Sequence, residues 1–147
     1  LYGDQPFIKP ETIRQLRETH EARHSAITMM TTTVPDFAGW RRPFYDFGRI
    51  KRNQIGEIVR IIEKKDASEE DLRIRELNPS FFCFSTPWLL KNLPKLTKNN
   101  AQGEYYLTDL VGIAIDEGAP LASLDVSPLE TIGVNTSEHL ELAHQVP

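Results

Sequence analysis

The stretch Phe47-Gly48-Arg49-Ile50-Lys51-Arg52-Asn53-Gln54-Ile55-Gly56-Glu57-Ile58-Val59-Arg60-Ile61-Ile62-Glu63 holds two runs, the second rich in β-branched residues, on either side of a short connection. Glycine near the end of Asn53-Gln54-Ile55-Gly56 marks a turn, so 47–52 and 57–63 are predicted to pair as an antiparallel hairpin. Segments on either side alternate between helical and extended patterns. Pro10-Glu11 suits a first helical turn, since proline loses no needed N–H there and an acid favours the positive end of the dipole. Ile13 and Leu16 carry that helix's apolar stripe, which ends near Ser25, and Ala26 to Val34 reads as a buried strand.

Downstream, Asp66-Ala67-Ser68-Glu69 resembles a capping box opening a short charged helix to about Arg75. Leu77 to Ser85, with Phe81, Phe82, Cys83 and Phe84, reads as one continuous apolar strand covered on both faces. Thr86-Pro87 is expected to start a helix with Leu89, Leu90 and Leu93 inward, closed or kinked at Pro94. Leu107, Leu110, Val111 and Ala114 follow an i, i+3, i+4, i+7 spacing, with Gly118 placed as a C-terminal cap. A short strand from Leu121 to Val126 and a last helix from Ser137 to Gln145 complete the order. Alternating helices and strands with an inserted hairpin predict an α/β mixed sheet in a three-layer sandwich.

The chain has 147 residues, with 17 Lys+Arg against 21 Asp+Glu and a net charge of −4. That length suits one domain, and the composition excludes disorder and low complexity. Without a basic excess the chain is no candidate for non-specific nucleic-acid binding. No apolar run approaches the ~18–20 residues of a membrane helix, so no membrane partner is expected. A single thiol, Cys83, favours a reducing compartment, and a cytoplasmic location is expected.

Several residues carry chemistry of their own. Leu1-Tyr2-Gly3-Asp4 reads as a strand end delivering a carboxylate into a loop, where it could hold a hard cation such as Mg²⁺ against phosphate; an ordinary turn before Pro6 is the plainer reading. Asn99 to Asp109 crowds polar and aromatic groups before an apolar helix without periodicity requiring it. Phe37, Trp40, Arg41 and Arg42, within the aromatic segment from Pro35 to Tyr45, suit a lid, a subunit contact or a cover for the sheet's hydrophobic edge. His20 and His24, four apart, lack a third ligand at zinc spacing and read as a solvated helix face, as do His139 and His144. Cys83 reads as inert core.

In combination, LYGD, FGRI, IIEKKDA, NNAQGEYYLTDLV and GVN, in that order, resemble the later part of the N-acetylglucosamine-1-phosphate uridyltransferase domain of the bifunctional bacterial enzyme that makes UDP-N-acetylglucosamine. The resemblance covers nearly the whole chain. It implies a Rossmann-like nucleotide-diphospho-sugar transferase sheet and uridylyl transfer from UTP to a sugar 1-phosphate, with release of pyrophosphate. It also implies Asp4 as a catalytic group and, with Asn135, as a Mg²⁺ ligand. Tyr2 and Gly3 would line the nucleotide side, and Gly48, Glu63, Asn78, Tyr106 and Thr108 would hold the sugar. By their own chemistry, Asn135 could instead cap the last helix with Glu138, and Glu63 could be a solvated strand end.

Departures from the family pattern bear on what the chain can do. The glycine-rich L-x-x-G-x-G-T-R-M motif, whose backbone N–H groups and cations cradle the triphosphate, is absent from the 147 residues. The hexapeptide-repeat acyltransferase domain is absent too. Residues 1–134 are therefore expected to be the sugar-binding part of a nucleotidyltransferase domain and 135–147 the start of a connecting helix. Leu1 is expected to be a break within the domain, and the chain alone to be incompetent. A second copy, a retained or complementing fragment, or a rearrangement is expected to cover the sheet edge so exposed. Asn78-Pro79-Ser80 replaces the usual Asn-Thr-Gly, which leaves open another sugar 1-phosphate as substrate. A non-catalytic module binding a sugar or a protein partner is the reading from a different class.

Overall fold

Ile27-Thr28-Met29-Met30-Thr31-Thr32-Thr33 is β-branched and apolar enough to lie inside a sheet rather than on its margin, and its first six residues are buried. The computed structural model describes residues 4–144. They form helix α1 (Pro10–Ala22), strand β1 (Ile27–Thr33), hairpin strands β2 (Gly48–Arg52) and β3 (Ile58–Ile62), and short strands β4 (Glu76–Asn78) and β5 (Phe82–Phe84). Helices α2 (Thr86–Asn92) and α3 (Asp109–Asp116), strand β6 (Leu121–Asp125) and helix α4 (Ser137–Ala143) follow. The sheet runs β3-β2-β4-β1-β5, and β6 also pairs with β1. β6 is parallel to β1, and β4 and β5 are antiparallel to it. The predicted hairpin forms, with Arg49 opposite Ile62 and Ile50 opposite Ile61.

Helices cover both faces. Ile27 and Met29 face Leu110, Val111 and Ala114 of α3, all without solvent exposure. Met30, one step out of phase, packs on the other face with Leu16 of α1, Phe81 and Val126. This is the expected three-layer arrangement. A third cluster of Val34, Phe44, Leu77 and Ile132 closes the end of the sheet beneath the aromatic segment, which winds as a 3₁₀ helix from Gly39 to Asp46. Covering a hydrophobic edge is thus what the Phe44 end of that segment does.

The expected continuous strand from Leu77 to Ser85 is two strands. Thr32 pairs with Leu77 and Met29 with Phe82, so three steps along β1 are matched by five on its partner. Pro79 has no N–H to give a ladder, and Ser80 turns left-handed at φ 65°. The ladder resumes where the Met30 N–H donates to the Phe81 carbonyl at 2.9 Å. Nor is β5 covered on both faces: Phe82, Cys83 and Phe84 are all half-buried, and burial holds the Cys83 thiol above its ordinary pKa.

Three smaller expectations also change. The box near Asp66 is shifted: Ser68 and Asp71 exchange backbone N–H bonds with each other's side chains, at 3.2 Å each. Only 3₁₀ turns result, at Lys64–Asp66 and Asp71–Arg73, because Arg75 must reach the sheet, where its carbonyl accepts from the Val34 N–H. α2 spans seven residues and turns Trp88, Leu89 and the buried Asn92 inward, leaving Leu90 67% and Leu93 44% exposed. His20 is half-buried, its Nδ1 3.0 Å from Thr28 Oγ1, and so does not lie on a solvated face. Among the described residues no helix is long and apolar enough to cross a membrane.

α3 ends as expected at Gly118, which has φ 64°. The Gly118 N–H donates to the Ile115 carbonyl and the Ala119 N–H to that of Ala114, the paired bonds of a Schellman cap. A Cβ meets nothing there, so conformation alone resists substitution. Gly118→Ala should therefore cost about 1–2 kcal/mol, lowering the melting temperature by about 2–8 °C in a calorimetric scan.

Candidate functional site

Three adjacent strands set the floor of the site. Gly48 opens β2 opposite Asn78 of β4, and the β2–β3 register carries Glu63 to its other side. Glycine keeps the space between them open. A Cβ on Gly48 would stand 3.2 Å from Ile61 Cγ2 and 3.4 Å and 3.5 Å from the two Glu63 carboxylate oxygens. Glu63 therefore lies across the Gly48 backbone rather than projecting into water as a solvated strand end. Thr108, itself buried, donates its hydroxyl to Glu63 Oε1 at 2.9 Å. Burial pushes the Glu63 carboxyl above the usual range; the Thr108 bond opposes this, while the charges of Asp66 and Asp109 add to it.

The opposite wall comes from the two ends of the described chain. The Val134 N–H donates to the Asp4 carbonyl at 2.7 Å, fastening Gly133-Val134-Asn135 beside Asp4. Glu130, buried in the 3₁₀ turn before it, accepts from Thr12 Oγ1 at 2.5 Å and from the Lys9 N–H at 3.2 Å. A carboxylate suits the positive end of α1 and ties the last loop to the first helix. Over Gly133 the side chains converge: a Cβ there would lie 3.5 Å from Asn135 Nδ2 and 4.0 Å from Asp4 Oδ2. Asn135 is free of capping duty, because Thr136 Oγ1 takes the first-turn N–H, that of His139, at 3.1 Å.

Between these walls lies a cleft of about 280 Å³ lined by Asp4, Gln5, Gly48, Glu63, Asn78 and Asn135, just below the ~300–1,000 Å³ usual for ligand cavities. Five residues singled out from the sequence thus meet in one place. Thr108 reaches it only through Glu63. Tyr106 does not line it; it borders an adjoining hollow of about 80 Å³ that also touches Glu63, and its hydroxyl accepts from Gln102 Nε2 at 2.7 Å. The polar loop is strapped to the turn after β3 by Lys65 to Gln102 and by the Ala101 N–H to Asp66. Tyr2 and Gly3 lie outside the described residues.

Sequence reasoning missed Gln5, Asp46 and Arg49. Asp46 lines the cleft and pairs with Lys64 at 2.5 Å. Arg49 is fully buried. Its guanidinium donates to the carbonyls of Phe47 and Tyr45 and faces the rings of Phe37 and Tyr45, pinning the aromatic segment beside the cleft. Burial lowers its pKa. The only prior signal was position: Gln5 directly follows Asp4, and Asp46 and Arg49 flank Phe47-Gly48.

No protein-family model matches the chain. Among curated proteins, the bifunctional protein GlmU of Brevibacillus brevis is 42% identical over 144 residues, covering 97% of this chain and 30% of its own length. That of Limosilactobacillus fermentum is 41% identical over 98% of the chain, and that of Enterococcus faecalis 37% over 99%. This chain is homologous to one part of the bifunctional GlmU proteins. It spans about 30% of the length of the GlmU relatives it matches. Solved structures share the fold at low identity. A nucleoside-diphosphate-sugar pyrophosphorylase from Vibrio cholerae superposes with TM-score 0.57 and 14% identity, over 85% of this chain and 49% of its own. A CMP:2-keto-3-deoxy-manno-octonic acid synthetase complexed with CTP superposes with TM-score 0.58 and 13% identity, over 99% and 61%.

The raised Glu63 carboxyl has a sign that can be checked. A folded-state pKa above the unfolded value of ~4.3 means stability is lost as pH rises from that value through the folded one. Glu63→Gln keeps the acceptor for Thr108 and removes the buried charge. In denaturant titrations it should be more stable than the parent at pH 7, with the gap closing once pH falls below the unfolded pKa.

Proposed function

We propose that the chain forms the sugar-phosphate side of a sugar-1-phosphate nucleotidyltransferase, with UTP and N-acetylglucosamine 1-phosphate as substrates and UDP-N-acetylglucosamine and pyrophosphate as products. The observation that carries this reading is the convergence of Asp4, Gly48, Glu63, Asn78 and Asn135 on one cleft. The sequence identity with GlmU proteins supports it. Such a reaction, an in-line attack of the sugar phosphate on the α-phosphorus, depends on positioning and charge neutralisation more than on covalent help.

Each residue has a part suited to its chemistry. Gly48 lets the sugar approach the backbone, Glu63 accepts from sugar hydroxyls, and Asn78 donates through Nδ2 while its Oδ1 takes the Ser80 N–H at 3.0 Å. Thr108 orients Glu63, and Tyr106 borders the far side of that carboxylate. Tyr2 and Gly3 belong to the nucleotide side. Asp4 and Asn135 fit a Mg²⁺ ion: they offer a carboxylate and an amide, and both side chains converge over the bare Cα of Gly133. When bound, that ion neutralises phosphate charge. Pro79, which removes a donor from the usual Asn-Thr-Gly pattern, favours a second reading in which the same chemistry serves another sugar 1-phosphate.

Titration of the chain with N-acetylglucosamine 1-phosphate in the presence of Mg²⁺ tests the assignment. Asp4→Ala and Asn135→Ala should each weaken Mg²⁺-dependent binding by roughly 10–100-fold, the cost of a charge-assisted contact. Binding unchanged in both variants removes the proposed metal site. With UTP added, the 147-residue chain alone should release no pyrophosphate, because its sequence lacks the L-x-x-G-x-G-T-R-M motif; robust turnover overturns that part.

A further inference from the structure

Between β4 and β5 the chain leaves the ladder of β1, and the residues of that bend divide by exposure. Asn78, Pro79 and Phe81 are buried, and Ser80 alone keeps accessible surface. Ser80 lines the cleft, so the cleft is where that surface opens. Its N–H donates to Asn78 Oδ1 at 3.0 Å, and the Pro79 carbonyl before it accepts from Gln5 Nε2 at 3.2 Å. These two bonds hold the bend on either side of the Ser80 side chain. The hydroxyl itself has no partner among the described residues, and it is not sealed off from solvent as the buried unpartnered atoms of Gln5 and Arg49 are.

Backbone conformation gives a second, independent observation. Ser80 holds φ 65°, a region that glycine enters freely and a residue with a Cβ enters at a cost. The core behind the bend is filled by Phe81, beside Leu16, Met30 and Val126. Glycine would make the same turn with less strain. A strained residue on a cleft wall, with a hydroxyl that bonds to nothing in the protein, points to a use for that hydroxyl.

The other walls show what the use is. Asp4, Asp46 and Glu63 bring carboxylates to the cleft, which accept and do not donate when ionised. A sugar hydroxyl that donates to one of them still has lone pairs to satisfy, and a donor must come from another wall. The Ser80 O–H stands beside Asn78 on the bend, while the proposed Mg²⁺ ligands Asp4 and Asn135 converge over Gly133.

We infer that Ser80 is a substrate-contacting residue, its hydroxyl donating a hydrogen bond to an oxygen of the sugar in the bound sugar phosphate. This rests on the proposed sugar-phosphate reading of the cleft. Serine is then kept in a glycine conformation because the turn aims its hydroxyl at the ligand.

The test is calorimetric titration of the full chain with N-acetylglucosamine 1-phosphate and Mg²⁺, set beside Ser80→Ala and Ser80→Gly. Each variant should bind about 3–10-fold more weakly, the worth of one neutral hydrogen bond. Ser80→Gly should also melt no lower than the parent, since it releases the left-handed φ; a merely structural side chain would move stability and affinity together. The ³¹P resonance of the bound ligand should keep its parent position in both variants. If Ser80→Ala does not fold, Ser80→Gly decides alone. Affinity within twofold of the parent in both variants overturns the Ser80 assignment and leaves the sugar-phosphate reading standing. So does a loss in Ser80→Ala that Ser80→Gly restores, which traces the effect to the bend rather than the hydroxyl. A moved ³¹P resonance places the hydroxyl on the phosphate and overturns the sugar contact. No binding by the parent chain removes the sugar-phosphate reading and the Ser80 role with it.

Discussion

β1 carries hydrogen-bond partners on both edges and helices on both faces. Ile27, Met29 and Met30 are wholly without solvent contact, so every neighbour must fit around a strand that has no free side to yield. Interiors packed at this density leave little room for adjustment. β6 meets the demand in register. The chain from Glu76 to Phe84 meets it only in part, and pushes its two surplus residues out of the ladder. That bend, with the hairpin alongside and the Gly133–Asn135 loop across from it, walls the cleft. The site is thus the place where pairing with β1 is given up.

Much of this was legible in advance, and the parts that were not share a cause. The hairpin, α3 and its Gly118 cap, and the stripe of α1 depend on local pattern and turn chemistry, which a sequence displays directly. The split at Pro79-Ser80 is hidden because Leu77, Phe81, Phe82 and Phe84 look like one buried strand until the ladder of β1 is counted against them. The inward face of α2 was misjudged because a seven-residue helix presents too little of its period to show which leucines face the core. On the site, Asp4, Gly48, Glu63, Asn78 and Asn135 were named from motif, and Gln5 and Asp46 were not. Those two matter through long-range neighbours, Pro79 and Thr131 for one and Lys64 for the other.

Polar groups are treated unevenly across the molecule. Glu130 and Thr12 satisfy each other at the start of α1, and Arg52 is clamped by Glu76 with two short bonds. At the cleft the balance is looser. Glu63 is held against its preference for water, Arg49 leaves its Nε without a partner among the described residues, and Ser80 sits in a backbone region that suits glycine. Each is a small cost confined to one corner, where strain and unmet polar groups commonly gather around a binding site.

The surplus of two residues opposite β1 has an arithmetic side. Side chains along a strand alternate between faces, so an even excess returns Phe82 and Phe84 to the faces they would have held without it. Losing one of the two would leave a one-residue bulge, which keeps Phe82 opposite Met29 and β5 on its present faces but makes the bend shallower. Losing two would spare the packing of both layers and erase the bend. Length at this point therefore sets the depth of the bend, and with it the wall of the cleft, more than the packing of the layers on either side.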